Sequence, residues 1–177
     1  MNTIALGRLR QLTLIGMPGS GKSTLGRWLA NHWQWPFIDV DLAIIAKEKK
    51  TLAELQEALG REAFLDRESW HIQQYGQAGQ ILAPGGSVIY RQATIEHLRR
   101  CGLVVYLQVP LADIEQRIGD LRKRGVVIAP GKTVEDLFHE RLPLYQQAAH
   151  LTVACSGIDP EASARQVEQA IQAHLQG

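Results

Sequence analysis

Short apolar runs recur along the chain and alternate with longer segments in which apolar residues have helical spacing. Five of these runs have the length of strands, at residues 12–15, 37–40, 80–83, 103–107 and 151–154. Strands that are buried on both faces show continuous apolar runs, whereas strands with one solvent face alternate. The pattern therefore predicts five buried strands, and the run at 103–107 is the clearest of them.

The segments between these runs are predicted to form helices. One helix follows Ser23 and ends before Pro36, because proline breaks a helical segment. Thr133, with Asp136 three positions later, has the spacing of a capping box at a helix N-terminus. The further predicted helices cover residues 51–76 with an interruption at Gly60, 92–100, 111–121, 133–149 and 160–175.

Strands and helices alternate throughout the chain, and this order determines the predicted fold class. Alternation implies a parallel sheet that is covered by helices on both faces and connected by right-handed crossovers. We therefore expect an α/β protein with a three-layer α/β/α architecture. Since the 177 residues contain no repeat and no linker, we expect a single domain over residues 1–177.

Composition and charge exclude several classes of protein. The 19 basic and 18 acidic residues leave a formal net charge of +1, without the basic excess typical of nucleic-acid-binding proteins. No segment approaches the roughly 20 apolar residues of a membrane span, and the N-terminus lacks the apolar core of a signal peptide. Cys101 and Cys155 match no metal or redox spacing. We expect a cytoplasmic protein that binds neither nucleic acid nor a membrane.

The strongest chemical motif follows the first predicted strand and reads Gly16-Met17-Pro18-Gly19-Ser20-Gly21-Lys22-Ser23, which matches G-x-x-x-x-G-K-[ST]. Its glycines let successive backbone N–H groups point at phosphate oxygens, and the following helix adds its positive end. Lys22 can reach the β- and γ-phosphates, and the Ser23 hydroxyl can ligate Mg²⁺. The residues expected to bind ATP in this segment are Gly16, Pro18, Gly19, Ser20, Gly21, Lys22, Ser23 and Thr24.

Two carboxylates, Asp39 and Asp41, stand at the C-terminal end of the second predicted strand. Ligands of open α/β sheets bind at this edge. If the strand continued through both positions, alternation would point the two side chains the same way. One carboxylate could then orient Mg²⁺ through a water molecule while the other accepts a hydrogen bond from an acceptor hydroxyl. A helix N-cap is the alternative role for Asp41.

Further motifs follow the phosphate loop in order. They are Phe-x-Asp-x-Asp at 37–41, Gly60 with Phe64 and Glu68, Ala83-Pro84-Gly85-Gly86-Ser87, and Arg141-Leu142-Pro143-Leu144-Tyr145. In this order they resemble the shikimate kinase family, and the resemblance covers nearly the whole chain. The resemblance implies a P-loop NTPase fold with a five-stranded sheet in the order 2-3-1-4-5. It also implies that ATP and Mg²⁺ are the cofactors and that the acceptor is a small polyhydroxylated molecule.

The resemblance implies roles for individual residues on the acceptor side. Asp41 would hold the reacting diol, and Asp39 would act near the metal. Gly85 and Gly86 would let the substrate approach the backbone. Arg141 would bind the carboxylate of the substrate.

A basic segment at 122–132 is similar to the lid of the family. The resemblance implies that Arg124 closes over the phosphates and that Arg117 packs on the adenine. A mobile basic loop can exclude water and supply charge to the transferring phosphoryl group. Arg122 and Lys123 are interpreted as solvated residues of this loop.

Three positions depart from the family pattern, because Leu65 replaces an Arg that grips the substrate carboxylate, Ser87 replaces a glycine and Gly125 replaces a lid proline. Losing such an Arg contact would cost about 2–4 kcal/mol of binding. Arg61 lies one helical turn before Leu65 on the same face, so we hypothesise that it partly substitutes. Alternatively, Arg61 is a solvated helix residue, or the acceptor has no carboxylate there and Leu65 lines a less polar pocket.

Together these features predict in-line transfer of the ATP γ-phosphoryl group to a small-molecule hydroxyl. The predicted catalytic residues are Lys22, Asp39, Asp41 and Arg124. The predicted metal-binding residues are Ser23 and, through water, Asp39. The predicted substrate-binding residues are Asp41, Arg61, Leu65, Gly85, Gly86 and Arg141.

Shikimate kinase or shikimate kinase-like activity is the expected function, and two further functions stay open. The acceptor could be another small hydroxyl compound, such as a sugar, a hydroxy acid or a hydroxy amino acid. The chain could also bind ATP without kinase turnover. A nucleoside monophosphate kinase is a weaker alternative, because no base-reading signature follows the second predicted strand. We expect the protein to act as a monomer on a small-molecule substrate.

Overall fold

A parallel sheet of five strands forms the centre of the molecule in the computed structural model, which describes residues 9–118, 125–129, 131–155 and 159–176. The strands lie in the order β2-β3-β1-β4-β5, and all neighbouring pairs are parallel. Their bounds are β1 Gln11–Ile15, β2 Phe37–Asp39, β3 Gln80–Ala83, β4 Leu103–Gln108 and β5 Leu151–Ala154. The predicted fold class and the strand order implied by the family resemblance are both confirmed.

The described part of the chain also contains eight α-helices, which connect and cover the strands. They are α1 Lys22–Trp33, α2 Val40–Glu48, α3 Leu52–Leu59, α4 Arg61–Ile72, α5 Gln92–Cys101, α6 Leu111–Ile118, α7 Val134–Ala148 and α8 Pro160–Gln176. A short 3-10 helix, Gly86–Tyr90, follows β3. All five residues of β1 are buried, which requires cover on both faces of the sheet. No helix within the described ranges is long and apolar enough to cross a membrane.

The second predicted strand is too long by one residue, because the chain enters a helix at Val40. The side chain of Asp39 accepts a hydrogen bond from the backbone N–H of Leu42, so Asp39 caps helix α2. Asp41 therefore lies in the first turn of a helix rather than in the strand. The predicted alternation of the two carboxylates along one strand does not occur, and the N-cap role belongs to Asp39 instead of Asp41.

The predicted helical stretch at 51–76 consists of two helices that meet at Gly60. Gly60 has φ 75° and ψ 167°, a conformation that favours glycine and ends the helical path. Thr51 and Glu54 form a capping box at the start of α3. The capping box predicted at Thr133 and Asp136 is also present and begins α7. Local capping chemistry therefore explains both helix starts.

The segment predicted as a lid, 122–132, is described in part. Residues 122–124 and 130, and with them Arg124, lie outside the described residues. Gly125 has φ 64° and rests on the first turn of α3, where Gln56 donates a hydrogen bond from its side chain to the Gly125 carbonyl. The described part of this segment therefore packs against α3.

Candidate active site

The phosphate loop turns sharply between β1 and α1. Gly16 has φ 149°, and a Cβ atom there would lie 2.9 Å from the Leu107 carbonyl oxygen of β4. No side chain fits at that position without moving the neighbouring strand. The loop is therefore held close to the C-terminal edge of the sheet, with the first turn of α1 behind it.

Lys22 extends into the centre of this loop. Its Nζ atom donates hydrogen bonds to the carbonyl oxygens of Gly16 and Met17, both at 2.9 Å. Desolvation lowers the pKa of Lys22 to about 8, although Asp41 acts in the opposite direction. An ammonium group has three N–H donors, and two of them serve the loop, so Lys22 retains donor capacity for a phosphate oxygen.

Ser23 and Asp39 meet at the end of β2. The Ser23 hydroxyl donates a hydrogen bond to Asp39 Oδ2 at 2.8 Å, and the guanidinium of Arg27 lies 3.9 Å from the same oxygen. A hydroxyl and a carboxylate are the oxygen ligands that Mg²⁺ prefers, alone or through water. The two side chains therefore fit the predicted role in holding Mg²⁺ beside the phosphate loop.

Two carboxyl groups converge at the opposite end of the site. A Cβ atom built on Gly85 would lie 2.8 Å from Asp41 Oδ1 and 2.6 Å from Glu68 Oε1. Desolvation raises the pKa of Asp41 to about 6, against the attraction of Lys22. Burial, with a contribution from Asp41, raises the pKa of Glu68 to about 7. A side chain at position 85 would clash with both carboxyl groups, so glycine is required where they converge.

Arg141 is fully buried and reaches the same end of the site from α7. Its Nε atom donates to the Tyr90 hydroxyl at 3.1 Å, and its Nη2 atom donates to the Val127 carbonyl at 2.7 Å. Its Nη1 atom lies 2.7 Å from the position that a Cβ atom on Gly86 would occupy. The guanidinium group is thus fixed by two hydrogen bonds and presents its third edge to the glycine wall.

Two buried side-chain atoms have no hydrogen-bond partner among the described residues, and both belong to residues that line the same cleft. They are Ser20 Oγ in the phosphate loop and Arg141 Nη1 at the acceptor end. A buried donor without a partner costs about 1–3 kcal/mol, and more when the group is charged. Such atoms therefore mark positions where a ligand would supply the missing hydrogen bonds.

The cleft has a volume of about 1400 Å³ and extends along the C-terminal edge of the sheet. Asp113 and Arg117 line it on the nucleotide side, where the Arg117 guanidinium lies 3.6 Å from Asp113. A Cβ atom on Gly19 would lie 3.5 Å from Arg117 Cβ, so helix α6, which carries Arg117, borders the phosphate loop. The predicted site residues that line the cleft are Pro18, Gly19, Ser20, Gly21, Lys22, Ser23, Thr24, Asp41, Gly85, Gly86, Arg117 and Arg141.

The structure does not bring Arg61 and Leu65 to the cleft. Arg61 is half exposed, pairs with Glu62 at 2.8 Å, and lies 5.0 Å from the centre of the Tyr90 ring. Leu65 is 1% exposed and packs in the hydrophobic core. Helical spacing puts both residues on one face of α4. This face is buried at Leu65 and exposed to solvent at Arg61. Phe64 and Glu68 of the same helix line the cleft instead.

Sequence reasoning did not assign a chemical role to Glu68, Tyr90 or Val127. In the sequence, Glu68 is recognisable only as part of a motif. Its burial depends on packing between α4 and the 3-10 helix. Tyr90 and the Val127 carbonyl hold Arg141, although they are far from it in sequence. No local pattern indicates such contacts, because they form only when distant segments pack together.

Comparisons with known proteins by sequence and by structure both find shikimate kinases. The family model described as shikimate kinase matches residues 18–172. A shikimate kinase from Aromatoleum aromaticum is 36% identical and covers 91% of this chain and 94% of its own. Threonine synthase-like 1 from Pongo abelii is 32% identical over 92% of this chain, a stretch that makes up 22% of that longer protein. The structure of a shikimate kinase from Acinetobacter baumannii in complex with shikimate has a TM-score of 0.86, with 28% identity and 97% coverage of both chains.

Proposed function

The chain belongs to the shikimate kinase family, and we propose that it transfers the γ-phosphoryl group of ATP to a hydroxyl group of shikimate. One observation carries the proposal: a single cleft joins a phosphate loop to a carboxylate, Asp41, and a buried guanidinium with an unpaired N–H, Arg141. The carboxylate suits a hydroxyl and the guanidinium suits an acid group. Shikimate carries both groups.

At the nucleotide end, the phosphate loop and Lys22 would bind the phosphates of ATP. The backbone N–H groups and the N-terminus of α1 supply positive potential, and Lys22 adds a full charge. Mg²⁺, when bound by Ser23 directly and by Asp39 through water, would neutralise charge on the β- and γ-phosphates. Arg117 lies on α6 and lines the cleft, from where it would pack against the adenine.

At the acceptor end, Asp41 would orient the attacking hydroxyl. With a pKa of about 6, most Asp41 carboxyl groups are ionised at pH 7 and accept a hydrogen bond. Phosphoryl transfer needs little covalent assistance, so the main contribution of Asp41 is to hold the hydroxyl in line with the γ-phosphate. Lys22 lies close enough to lower the pKa of Asp41, which supports an acceptor position beside the transferring group.

Arg141 would bind the carboxylate of shikimate through its Nη1 atom. In the described part of the cleft it is the buried guanidinium with an unpaired N–H, since Leu65 is apolar and Arg61 lies outside. Gly85 and Gly86 line the cleft, where the ring would approach the backbone. Arg124, which lies outside the described residues, is retained as the residue that would meet the negative charge of the transferring group.

A coupled ADP-release assay with ATP and Mg²⁺, with and without shikimate, tests the proposal. We expect shikimate-dependent turnover with a KM below about 1 mM, in the usual range for small-molecule enzymes. The Lys22→Ala variant, which removes the ammonium group from the phosphate loop, serves as the inactive control. Hydrolysis that shikimate does not accelerate would refute shikimate as the acceptor, and small sugars, hydroxy acids and hydroxy amino acids would be assayed next.

A further inference from the structure

A buried glutamate, Glu68, borders the acceptor end of the cleft without an obvious partner of opposite charge. It is 3% exposed, and no Lys or Arg nitrogen among the described residues lies within ion-pair distance of its carboxyl group. Burying an unpaired carboxylate is expensive, so such groups normally accept several hydrogen bonds. We therefore expect neighbouring groups to donate hydrogen bonds to the Glu68 carboxyl group.

Ser87 supplies the side-chain hydrogen bonding that Glu68 receives. The Ser87 hydroxyl lies 2.8 Å from Glu68 Oε1 and 2.7 Å from Oε2, so a single proton is shared between both oxygens. Ser87 is itself buried and stands in the 3-10 helix directly after Gly85 and Gly86. The hydrogen bond thereby connects the carboxyl group on α4 to the glycine wall of the cleft.

We propose that Ser87 is a positioning residue of the acceptor site, whose hydroxyl holds the Glu68 carboxylate beside Asp41 so that both carboxyl groups face the acceptor hydroxyls. Both carboxyl groups approach Gly85, and Asp41, Glu68 and Gly85 all line the cleft. An acceptor with two neighbouring hydroxyl groups fits such a pair, because each carboxylate accepts one hydrogen bond. The inference rests on the proposed function, since it concerns the acceptor of the same reaction.

The charge of Glu68 depends on the groups that face it from three elements. Burial and Asp41 on α2 raise its pKa to about 7, whereas Ser87 in the 3-10 helix and Arg141 on α7 lower it. Near neutral pH, the hydrogen bond from Ser87 therefore favours the charged form. Without this bond, Glu68 would become protonated more readily and would donate a hydrogen bond to a neighbouring acceptor such as Asp41. Asp41 would then be less available to the hydroxyl of the substrate.

The carboxyl titration of Glu68 tests the contact directly and needs no turnover. Carboxyl carbons of ¹³C-labelled glutamates are followed by NMR against pH, and the Glu68 signal is identified by its loss in Glu68→Gln. We expect Ser87→Ala to raise the pKa of Glu68 by about one unit, because the charged form loses its donor. Ser69→Ala is the matched control, since Ser69 is also buried but bonds to Thr94. An unchanged Glu68 titration in Ser87→Ala would overturn the proposal.

Kinetics then test whether the contact acts on the acceptor. We expect Ser87→Ala to raise the KM for shikimate about 3- to 10-fold at pH 7 and to leave the KM for ATP unchanged. In a Glu68→Gln background the same substitution should have no further effect on that KM. An equal rise in both backgrounds would show that Ser87 acts independently of Glu68 and would overturn the proposal. If the wild-type protein does not phosphorylate shikimate, the proposed function fails, whereas the carboxyl titration still decides whether Ser87 holds Glu68.

Discussion

At the scale of single residues, Asp41 and Arg141 line the same cleft from different elements. Asp41 lies in the first turn of α2, and Arg141 reaches the cleft from the middle of α7. Arg141 is held by Tyr90 and the Val127 carbonyl, which leaves one edge of its guanidinium for a ligand. Substitutions of Asp41 and of Arg141 should affect different kinetic constants.

Asp41→Asn should lower kcat at least about 100-fold with little change in ATP affinity. The amide keeps the shape of the side chain but cannot accept the hydroxyl hydrogen bond with a full negative charge. Steady-state kinetics give kcat, and equilibrium titration with a nucleotide analogue gives the ATP affinity. Loss of nucleotide affinity without loss of kcat would place Asp41 at the nucleotide rather than at the acceptor.

Arg141→Lys should raise the KM for shikimate by roughly 30-fold or more, because a lysine cannot hold three hydrogen bonds in fixed directions. The KM for ATP should stay near its wild-type value. Arg99→Lys is a suitable control, since Arg99 also donates to backbone carbonyls, those of Ala148 and Ala149, but does not line the cleft. Equal effects of the two substitutions on the KM for shikimate would argue against a carboxylate contact at Arg141.

At the scale of elements, the described part of the predicted lid packs closely on helix α3 at Gly125. A Cβ atom on Gly125 would lie 2.6 Å from Leu52 Cβ and 2.9 Å from the Ala53 backbone nitrogen. The carbonyl oxygen of Val127, two residues after Gly125, accepts a hydrogen bond from Arg141. The position of this segment is therefore linked to α3 on one side and to the Arg141 guanidinium on the other.

Gly125→Ala should reduce kcat/KM for shikimate by about 10-fold, because the new methyl group would push the segment away from α3 and from Arg141. Gly131→Ala is the matched control: Gly131 also has a positive φ, 81°, but a Cβ atom there meets nothing within 4 Å. Both substitutions strain the backbone by about 1 kcal/mol. Only the first adds a clash, so similar kinetics for the two variants would contradict a specific contact between this segment and α3.

At the scale of the whole molecule, the cleft concentrates buried ionisable groups whose pKa values differ from those in an unfolded chain. Asp41 and Glu68 have raised pKa values, about 6 and about 7, and Lys22 has a lowered one, about 8. A carboxyl group with a raised pKa binds its proton more tightly in the folded protein. It therefore stabilises the fold below its unfolded pKa, and this contribution is lost as the pH rises through the folded pKa.

Glu68→Gln should therefore stabilise the free protein near pH 8, by on the order of 2–3 kcal/mol, and have little effect near pH 4.5. The difference in unfolding free energy should appear between about pH 4.5 and pH 7, the range set by the ordinary and the raised pKa of Glu68. Denaturant unfolding at several pH values measures it, with Glu57→Gln as the control because Glu57 is exposed on α3. A pH-independent difference would show that the Glu68 pKa is not raised.

Much of the fold and of the nucleotide site follows from local sequence. The five strands were predicted within one residue at each end, because each is a short, mostly apolar segment. The phosphate loop was recognised because its glycines, Lys22 and Ser23 are contiguous. Helix α2 was missed because its start depends on Asp39 turning from a strand residue into an N-cap. The 3-10 helix after β3 was missed because it is short and carries no periodicity.

The acceptor end was predicted only in part: Asp41, Gly85, Gly86 and Arg141 line the cleft as expected from the family resemblance, whereas Arg61 and Leu65 do not. Helical spacing put Arg61 and Leu65 on one face of α4, but only packing decides which residues of a helix face a cleft. In the structure, Phe64 and Glu68 line the cleft, and Leu65 is buried in the core. Arg61 pairs with Glu62 at the surface. The sequence by itself determined the parallel sheet and the phosphate loop, since both depend on residues that are neighbours in the chain. Tertiary structure decided that Glu68 and Ser87 join Asp41 and Arg141 at one end of the cleft, since the four residues come from four separate elements.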